Sequence, residues 1–123
     1  MDSPALLTMV DAVRRACELI PGAWAVVEEH VAGLGEFGAV PEPASGVAPY
    51  SFFTDLRCFV FADGGDAARI AGLFELVEET LDSPDQMVRD GSAIRIAHKL
   101  FRYEVEIARA GVVPGPRLCR AMA

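Results

Sequence analysis

The sequence predicts an all-α domain, a compact bundle of about five or six helices with one long Gly/Pro-rich loop. Apolar residues recur at intervals of three and four over most of the chain, which is the period of an amphipathic helix. Only one segment also fits a β-strand, and a lone strand would leave its backbone donors and acceptors unpaired. With 123 residues, 52% of them hydrophobic and 24% charged, the chain is expected to form a single helical domain over residues 1–123.

The N-terminal part of the chain predicts two helices. Ser3 can cap the first, over residues 3–20, and Pro4 suits its first helical position. A break at Pro21 follows, and the second helix is predicted over residues 23–32. The apolar positions that define the two faces are Leu6, Val10, Val13, Cys17 and Ile20 in the first helix and Trp24, Val27 and Val31 in the second.

Residues 35–49 differ from the rest of the chain in composition. Proline and glycine are frequent there and the hydrophobic period is lost, which predicts a loop of unusual length. Long loops in small domains often carry function. This one contains two carboxylates, Glu36 and Glu42.

The segment over residues 50–61 has two interpretations. As a strand, it would alternate apolar and polar side chains, and its aromatic content fits. As a helix, it would place five apolar residues on one face, namely Phe52, Phe53, Leu56, Phe59 and Val60. The helix is favoured because no other segment offers a strand to pair with it.

Three further helices complete the prediction. Asp66 is expected to cap a helix whose apolar stripe extends to Leu81. The run Ser83-Pro84-Asp85-Gln86 is a capping box that predicts a helix continuing to Ala110, and a short helix ends the chain. The residues predicted to face inward are Ile70, Leu73, Phe74 and Val77 in the first of these helices, Met87, Ile94, Phe101, Val105 and Ala108 in the second, and Leu118 and Met122 in the last.

Charge and composition exclude several classes of partner. The 18 acidic and 11 basic residues give a net charge of −7, which repels phosphate backbones, so no nucleic-acid partner is expected. No apolar run has the length of a membrane span, and Asp2 stands where a secretory signal needs basic residues, so no membrane partner is expected. The three cysteines, odd in number and without a Cys-x-x-Cys pair, predict free, mostly buried thiols and a cytoplasmic location.

The candidate catalytic and metal-binding residues have structural interpretations. His30 follows two glutamates near a predicted helix end, where it is expected to act as a cap. His98 falls on the predicted apolar stripe, which indicates a hydrogen-bonded core histidine. Glu75 and Glu78 have helical spacing, but neither histidine follows a glutamate by three residues, as metal sites in helix bundles require. The sequence therefore predicts no enzyme, no cofactor and no metal.

Acidic residues cluster around one predicted corner between two helices. We call this cluster the acidic corner, and the two loop carboxylates, Glu36 and Glu42, add to its charge. One interpretation is an ordinary solvated surface; the other is a docking surface for a basic protein, which would speed and orient association. The acidic corner consists of Glu75, Glu78, Glu79, Asp82 and Asp85.

Residues 73–100 resemble a group of small bacterial helical domains. The run Leu73-Phe74-Glu75-Leu76-Val77-Glu78-Glu79-Thr80-Leu81 is similar to their apolar-Phe-x-x-apolar-Glu helix, and residues 88–100 are similar to the Val-x-x-x-x-Ala-x-x-x-apolar helix that follows it. Where that group often has an acid near the end of the second helix, this chain has His98-Lys99. Many of these domains look like immunity proteins of polymorphic toxin systems. The resemblance implies a non-catalytic protein that neutralises a toxin domain by binding it.

Three functional hypotheses follow. The first is such an immunity protein, which would bind its toxin through the acidic corner and the long loop. The second is a helical bundle with an apolar pocket for a small molecule, lined by Trp24, Phe52, His98 and Phe101. The third is a self-assembling structural module, since the sequence leaves the oligomeric state open.

Overall fold

The protein is all-α, as predicted. The computed structural model describes residues 9–33 and 49–122, and these residues form seven α-helices and two 3₁₀ segments without any strand. The predicted cap at Ser3 and Pro4, and the predicted loop up to residue 48 with Glu36 and Glu42, lie outside the described residues. The α-helices are α1 (Met9–Leu19), α2 (Trp24–Gly33), α3 (Pro49–Val60), α4 (Ala67–Thr80), α5 (Gln86–Arg95), α6 (Glu104–Ala110) and α7 (Pro116–Met122), and the 3₁₀ segments are Ala62–Gly64 and Ala97–Tyr103.

Helix α4 is the centre of the bundle and contacts α1, α3, α5, α6 and α7. Asp66 caps it as predicted, since its carboxylate accepts a hydrogen bond from the Arg69 N–H at 3.1 Å. Gly72 lies where α1 crosses, and a Cβ at this position would overlap the carbonyl oxygen of Leu19. The predicted stripe is buried except for Leu81, which is half-buried, and it is joined by Leu76 and Thr80. A glycine at the crossing therefore allows α1 to pack directly against the backbone of α4.

The segment with two interpretations is a helix. Phe52, Phe53, Leu56 and Val60 of α3 are fully buried, and Phe59 is half-buried. Their spacing puts one face of α3 against α5 and α2. Because a helix satisfies its own backbone hydrogen bonds, this segment needs no strand partner.

The predicted long helix up to Ala110 is wrong, because the chain leaves the α-helical path after Arg95. Ile96 has φ −118° and ψ −68°, and the next seven residues form a 3₁₀ segment. The buried Arg57 of α3 donates a hydrogen bond from Nη1 to the Arg95 carbonyl oxygen at 2.6 Å. The Lys99 N–H, which would bond that oxygen in a continuous α-helix, instead donates to the Ile96 oxygen at 2.9 Å. A side chain from another helix thus takes the acceptor that α5 needs to continue.

The predicted inward face is exposed on both sides of the break. Met87 and Ile94 are exposed before it, because α5 buries Val88, Gly91 and Ser92 instead. After the break, Phe101, Val105 and Ala108 are exposed. The 3₁₀ segment, with three residues per turn, instead buries Ala97 and Leu100 and half-buries Tyr103, whose ring stacks on Phe61 with centroids 4.0 Å apart. A period of 3.6 residues extended through the break therefore assigns Phe101, Val105 and Ala108 to the wrong side. In α7, Leu118 is buried as predicted, but Met122 is exposed.

The predicted burial of the cysteines is also wrong. Cys58 and Cys119 are exposed and Cys17 is half-buried, so the thiols are not mostly buried. Cys58 lies two residues after Leu56 on α3, which turns it away from the core face.

Between residues 9 and 33 and from 49 onward to 122, none of the helices combines the length and apolar character that crossing a bilayer requires.

Candidate functional site

The acidic corner is held together by basic residues of other elements. On the α1 side, Arg15 donates from Nε to Glu79 Oε1 and from Nη2 to Glu79 Oε2, both at 2.9 Å. The same guanidinium lies 3.0 Å from Glu18 and 3.5 Å from Glu75. The hydrogen bonds to Glu79 and then to Glu18 raise the pKa of Arg15 above its ordinary value. This bidentate pair links α1 to α4 across 64 residues of sequence.

On the other side of the corner, Glu78 caps the N-terminus of α7. Its Oε2 accepts from the Arg117 N–H at 2.9 Å and its Oε1 accepts from the Leu118 N–H at 3.0 Å. The Arg117 guanidinium donates a hydrogen bond to the Glu78 carbonyl oxygen at 3.2 Å and forms an ion pair with the Asp82 carboxylate at 3.3 Å. A Cβ at Gly115 would lie 2.6 Å from Glu78 Oε1, so glycine leaves the space that this carboxylate occupies.

Asp85 is the N-cap of α5. Its Oδ1 accepts from the Met87 N–H at 2.9 Å, while the Asp85 N–H donates to Ser83 Oγ at 3.0 Å. The capping box therefore begins the helix two residues later than predicted, with Asp85 in place of Ser83 as the cap. Arg89 closes this turn by donating to the Ser83 carbonyl at 2.7 Å. All five carboxylates of the acidic corner thus have partners within the chain. The side chains of Glu75 and Asp82 nevertheless remain 58% and 68% exposed.

A groove with a mainly apolar lining lies between the 3₁₀ segment, α6 and α7. Its volume is about 290 Å³, and it is open to solvent. Phe101 is 66% exposed at its wall, and Val105, four residues further along, is 64% exposed. We call this the apolar groove, and its lining includes His98, Phe101, Glu104, Ile107, Ala108 and Met122.

The apolar groove lies in the positively charged part of an acidic chain. Residues 91–123 contain six basic and two acidic residues, whereas residues 1–90 contain five basic and sixteen acidic residues. The Arg102 guanidinium lies over the Phe101 ring, 5.8 Å from its centroid. The total charge hides this asymmetry, which counting the charges of each part separately would have found.

The predicted pocket between Trp24, Phe52, His98 and Phe101 does not form. Phe52 is fully buried in the core and Trp24 is exposed on α2, and neither lines the groove that His98 and Phe101 share. His98 itself is exposed, so its assignment to the core is wrong. The cause is again the break after Arg95, because His98 lies in the 3₁₀ segment and the α-helical period does not apply there.

A second concave region lies between α2 and α3. It has a volume of about 390 Å³, and its lining includes Cys58, Glu29 and Asp55. Elsewhere, burial and then the neighbouring Glu18 raise the pKa of the half-buried Cys17 thiol. Within the described ranges, no group of three or more His, Cys, Asp or Glu side chains is arranged to hold a metal ion.

The two regions differ in what they offer chemically. The acidic corner supplies carboxylates that already act as caps and ion-pair partners, whereas the apolar groove supplies an exposed aromatic ring, a methionine and a neighbouring arginine. Comparison with known proteins found no matching family model, no matching curated protein and no matching solved structure. The arrangement of these residues is therefore the basis for assigning a function.

Proposed function

We propose that this chain is a non-catalytic protein-binding domain and, in finer terms, an immunity protein that neutralises a bacterial toxin domain by direct contact. The observation that carries the binding function is the exposure of Phe101 and Val105. The same chain buries Phe52 and Phe53 completely, so leaving Phe101 in water forgoes a comparable gain in stability. Contiguous exposed apolar surface that includes an aromatic ring is typical of interaction sites.

The chemistry of the apolar groove supports a protein partner. Aromatic and arginine side chains are enriched among the residues that dominate binding energy, and here Arg102 lies directly over the Phe101 ring. The toxin-neutralising function rests on the resemblance of residues 73–100, whose C-terminal end contributes to this groove. The chain would act by covering its partner, with no chemical step.

The acidic corner is a second proposed contact surface within the same function. Glu75 and Asp82 keep exposed oxygens for a basic partner, whereas Glu78, Glu79 and Asp85 are occupied by internal contacts. We expect charge reversal at Glu75 to weaken binding and to reduce its dependence on salt if this surface contributes. Unchanged affinity of Glu75→Lys would remove the acidic corner from the interface.

The decisive experiment compares two substitutions at exposed apolar positions. The tagged protein is used to capture partners from its native lysate, in parallel with Phe101→Asp and the matched control Val113→Asp, since Val113 is 83% exposed and does not line the groove. We expect one partner at near-equal stoichiometry with the unmodified protein and with Val113→Asp, and loss of that partner with Phe101→Asp.

Toxin neutralisation is then tested with the captured partner itself. Expression of the partner alone should arrest growth of a bacterial host, and co-expression of this chain, but not of its Phe101→Asp variant, should restore growth. A harmless partner would contradict the immunity function and leave the binding function standing. Failure to capture any partner would contradict both.

The alternative function is binding of a small molecule in the apolar groove. It is favoured by the presence of both His98 and Phe101 in the lining of the groove. The groove volume of about 290 Å³ is close to the lower limit for ligand pockets. This function predicts that His98→Ala abolishes the stabilisation produced by a ligand in a thermal-shift screen while the protein stays folded. Ligands that stabilise the His98→Ala variant equally would exclude it.

A further inference from the structure

We propose that the apolar groove docks an acidic amphipathic helix of the partner, with apolar side chains inserted beside Phe101 and carboxylates at the rim. This inference rests on the proposed binding function and specifies the chemistry of what is bound. The juxtaposition that carries it is an exposed aromatic ring under the guanidinium of Arg102, which forms no ion pair within the described residues.

The apolar part of the site is an open groove between the 3₁₀ segment, α6 and α7. Phe101 and Val105 stand four residues apart at the junction of the 3₁₀ segment and α6, and Met122 of α7 lines the groove with Phe101. The floor is formed by the buried Ala97 and Leu100. A partner helix that presents apolar residues at i, i+3, i+4 and i+7 would cover this surface.

A cation placed at the groove is Arg102, whose guanidinium lies over the Phe101 ring. Lys99 directly follows the lining residue His98 along the chain, and Arg109 lines a separate concavity with Asp63 and Gly64. Within the described residues, Arg117 forms ion pairs with Glu78 and Asp82, while Lys99, Arg102 and Arg109 form none. Glu104 is the one carboxylate among the residues that line the groove.

The charge distribution makes an acidic partner the occupant that fits. Residues 91–123 carry a net charge of +4, whereas residues 1–90 carry −11. Two copies of this chain meeting groove to groove would bring two positive surfaces together, since a two-fold contact uses the same patch twice.

The test uses two synthetic helical peptides that differ only in charge. Both have leucine at i, i+3, i+4 and i+7; one has glutamate at the outward positions and the other has lysine. Fluorescence anisotropy with the full chain should give at least about tenfold tighter binding of the glutamate peptide, and the difference should shrink as salt is added.

Substitutions identify where the glutamate peptide binds. Phe101→Ser should weaken its binding at least about tenfold, Arg102→Glu should reduce the preference for glutamate over lysine, and the control Val113→Ser should change neither. Because Phe101 and Val113 are exposed, circular dichroism should show all variants folded. Equal affinity for the two peptides, tighter binding of the lysine peptide, or no effect of Phe101→Ser would overturn the proposal.

Two further measurements assign the groove to a different occupant if the proposal is wrong. A concentration-dependent dimer in analytical ultracentrifugation that Phe101→Asp dissociates would assign it to a second copy. Cosedimentation with phosphatidylserine vesicles that Phe101→Asp abolishes would assign it to a lipid surface.

The failure of this proposal is distinguishable from that of the proposed function. If Phe101→Asp loses the native partner but the glutamate peptide has no advantage, the binding function stands and the acidic-helix chemistry is wrong. If the glutamate peptide binds selectively while the lysate yields no partner, the groove chemistry stands and the proposed function fails.

Discussion

The acidic corner and the apolar groove are both made of residues that a sequence pattern can pick out, yet their environments differ. In the acidic corner, Glu79 and Glu78 are engaged by Arg15 and by the N-terminus of α7. In the apolar groove, Phe101 is exposed, and Arg102 lies over that ring and forms no ion pair within the described residues. A cluster of charge in sequence therefore indicates a structural network as readily as an interface.

This difference shows which surface can still gain free energy by binding a partner. A carboxylate that already accepts two backbone hydrogen bonds offers a partner little without losing those bonds. An exposed phenylalanine gains from any contact that removes it from water. We therefore expect substitutions in the acidic corner to lower stability and substitutions in the apolar groove to lower affinity.

The largest stability effect is expected at Glu78. Glu78→Ala removes both hydrogen bonds to the first turn of α7 and the contact with Arg117, so we expect a loss of about 2–3 kcal/mol in the free energy of unfolding. Urea denaturation measures it, with Glu75→Ala as the control, because an exposed ion pair contributes about 1 kcal/mol or less. Equal losses for the two variants would show that the capping contact adds nothing beyond surface charge.

A smaller effect that connects the two regions is expected at Arg57. Its hydrogen bond to the Arg95 oxygen ends α5 and so creates the 3₁₀ segment that forms one wall of the apolar groove. Arg57→Met should lower stability by about 1–2 kcal/mol, since the carbonyl loses a charged donor while the buried Nε without an acceptor is also removed. It should also weaken binding of the glutamate peptide.

Arg89→Met is the matched control for this substitution. Arg89 also donates to a backbone carbonyl, that of Ser83 at 2.7 Å, but it does not line the groove. We expect a comparable loss of stability with unchanged peptide affinity. If both variants bind the peptide normally, the Arg57 contact does not shape the groove.

The local features of the fold could be read from the sequence. The cap at Asp66, the stripe of α4 and the helical face of Phe52, Phe53 and Leu56 depend on neighbouring residues and on a single period. These are the positions at which prediction and structure agree. The choice of helix for residues 50–61 rested on the whole chain, which offers no second strand.

The remaining features depend on contacts between distant residues. The break after Arg95 is made by Arg57, 38 residues earlier, and the occupation of Glu79 by Arg15 spans 64 residues. Neither contact has a signature in hydrophobic period, so the exposure of Phe101 could not be predicted from it. Splitting the charge count at residue 90 would have indicated the positive region, but not that an apolar groove lies within it.

The smallest effect is expected at Cys17, where burial raises the pKa of the thiol above its ordinary value of 9.0. The folded state therefore holds the thiol proton more tightly than the unfolded state does. Its contribution to stability is fully present below the unfolded pKa and is lost as pH rises through the folded pKa, so stability should fall above about pH 9. The midpoint of urea unfolding, measured on both sides of that pH, tests this slope.

Two variants separate Cys17 from the other groups that titrate in alkali. Cys17→Ala should have a smaller decline in the urea midpoint above about pH 9 than the unmodified protein, because the group responsible is gone. Cys119→Ala is the control, since Cys119 is exposed and its removal should leave the decline unchanged. An identical decline in all three proteins would contradict the assignment to Cys17. Neither variant should alter peptide affinity, since neither cysteine lines the apolar groove.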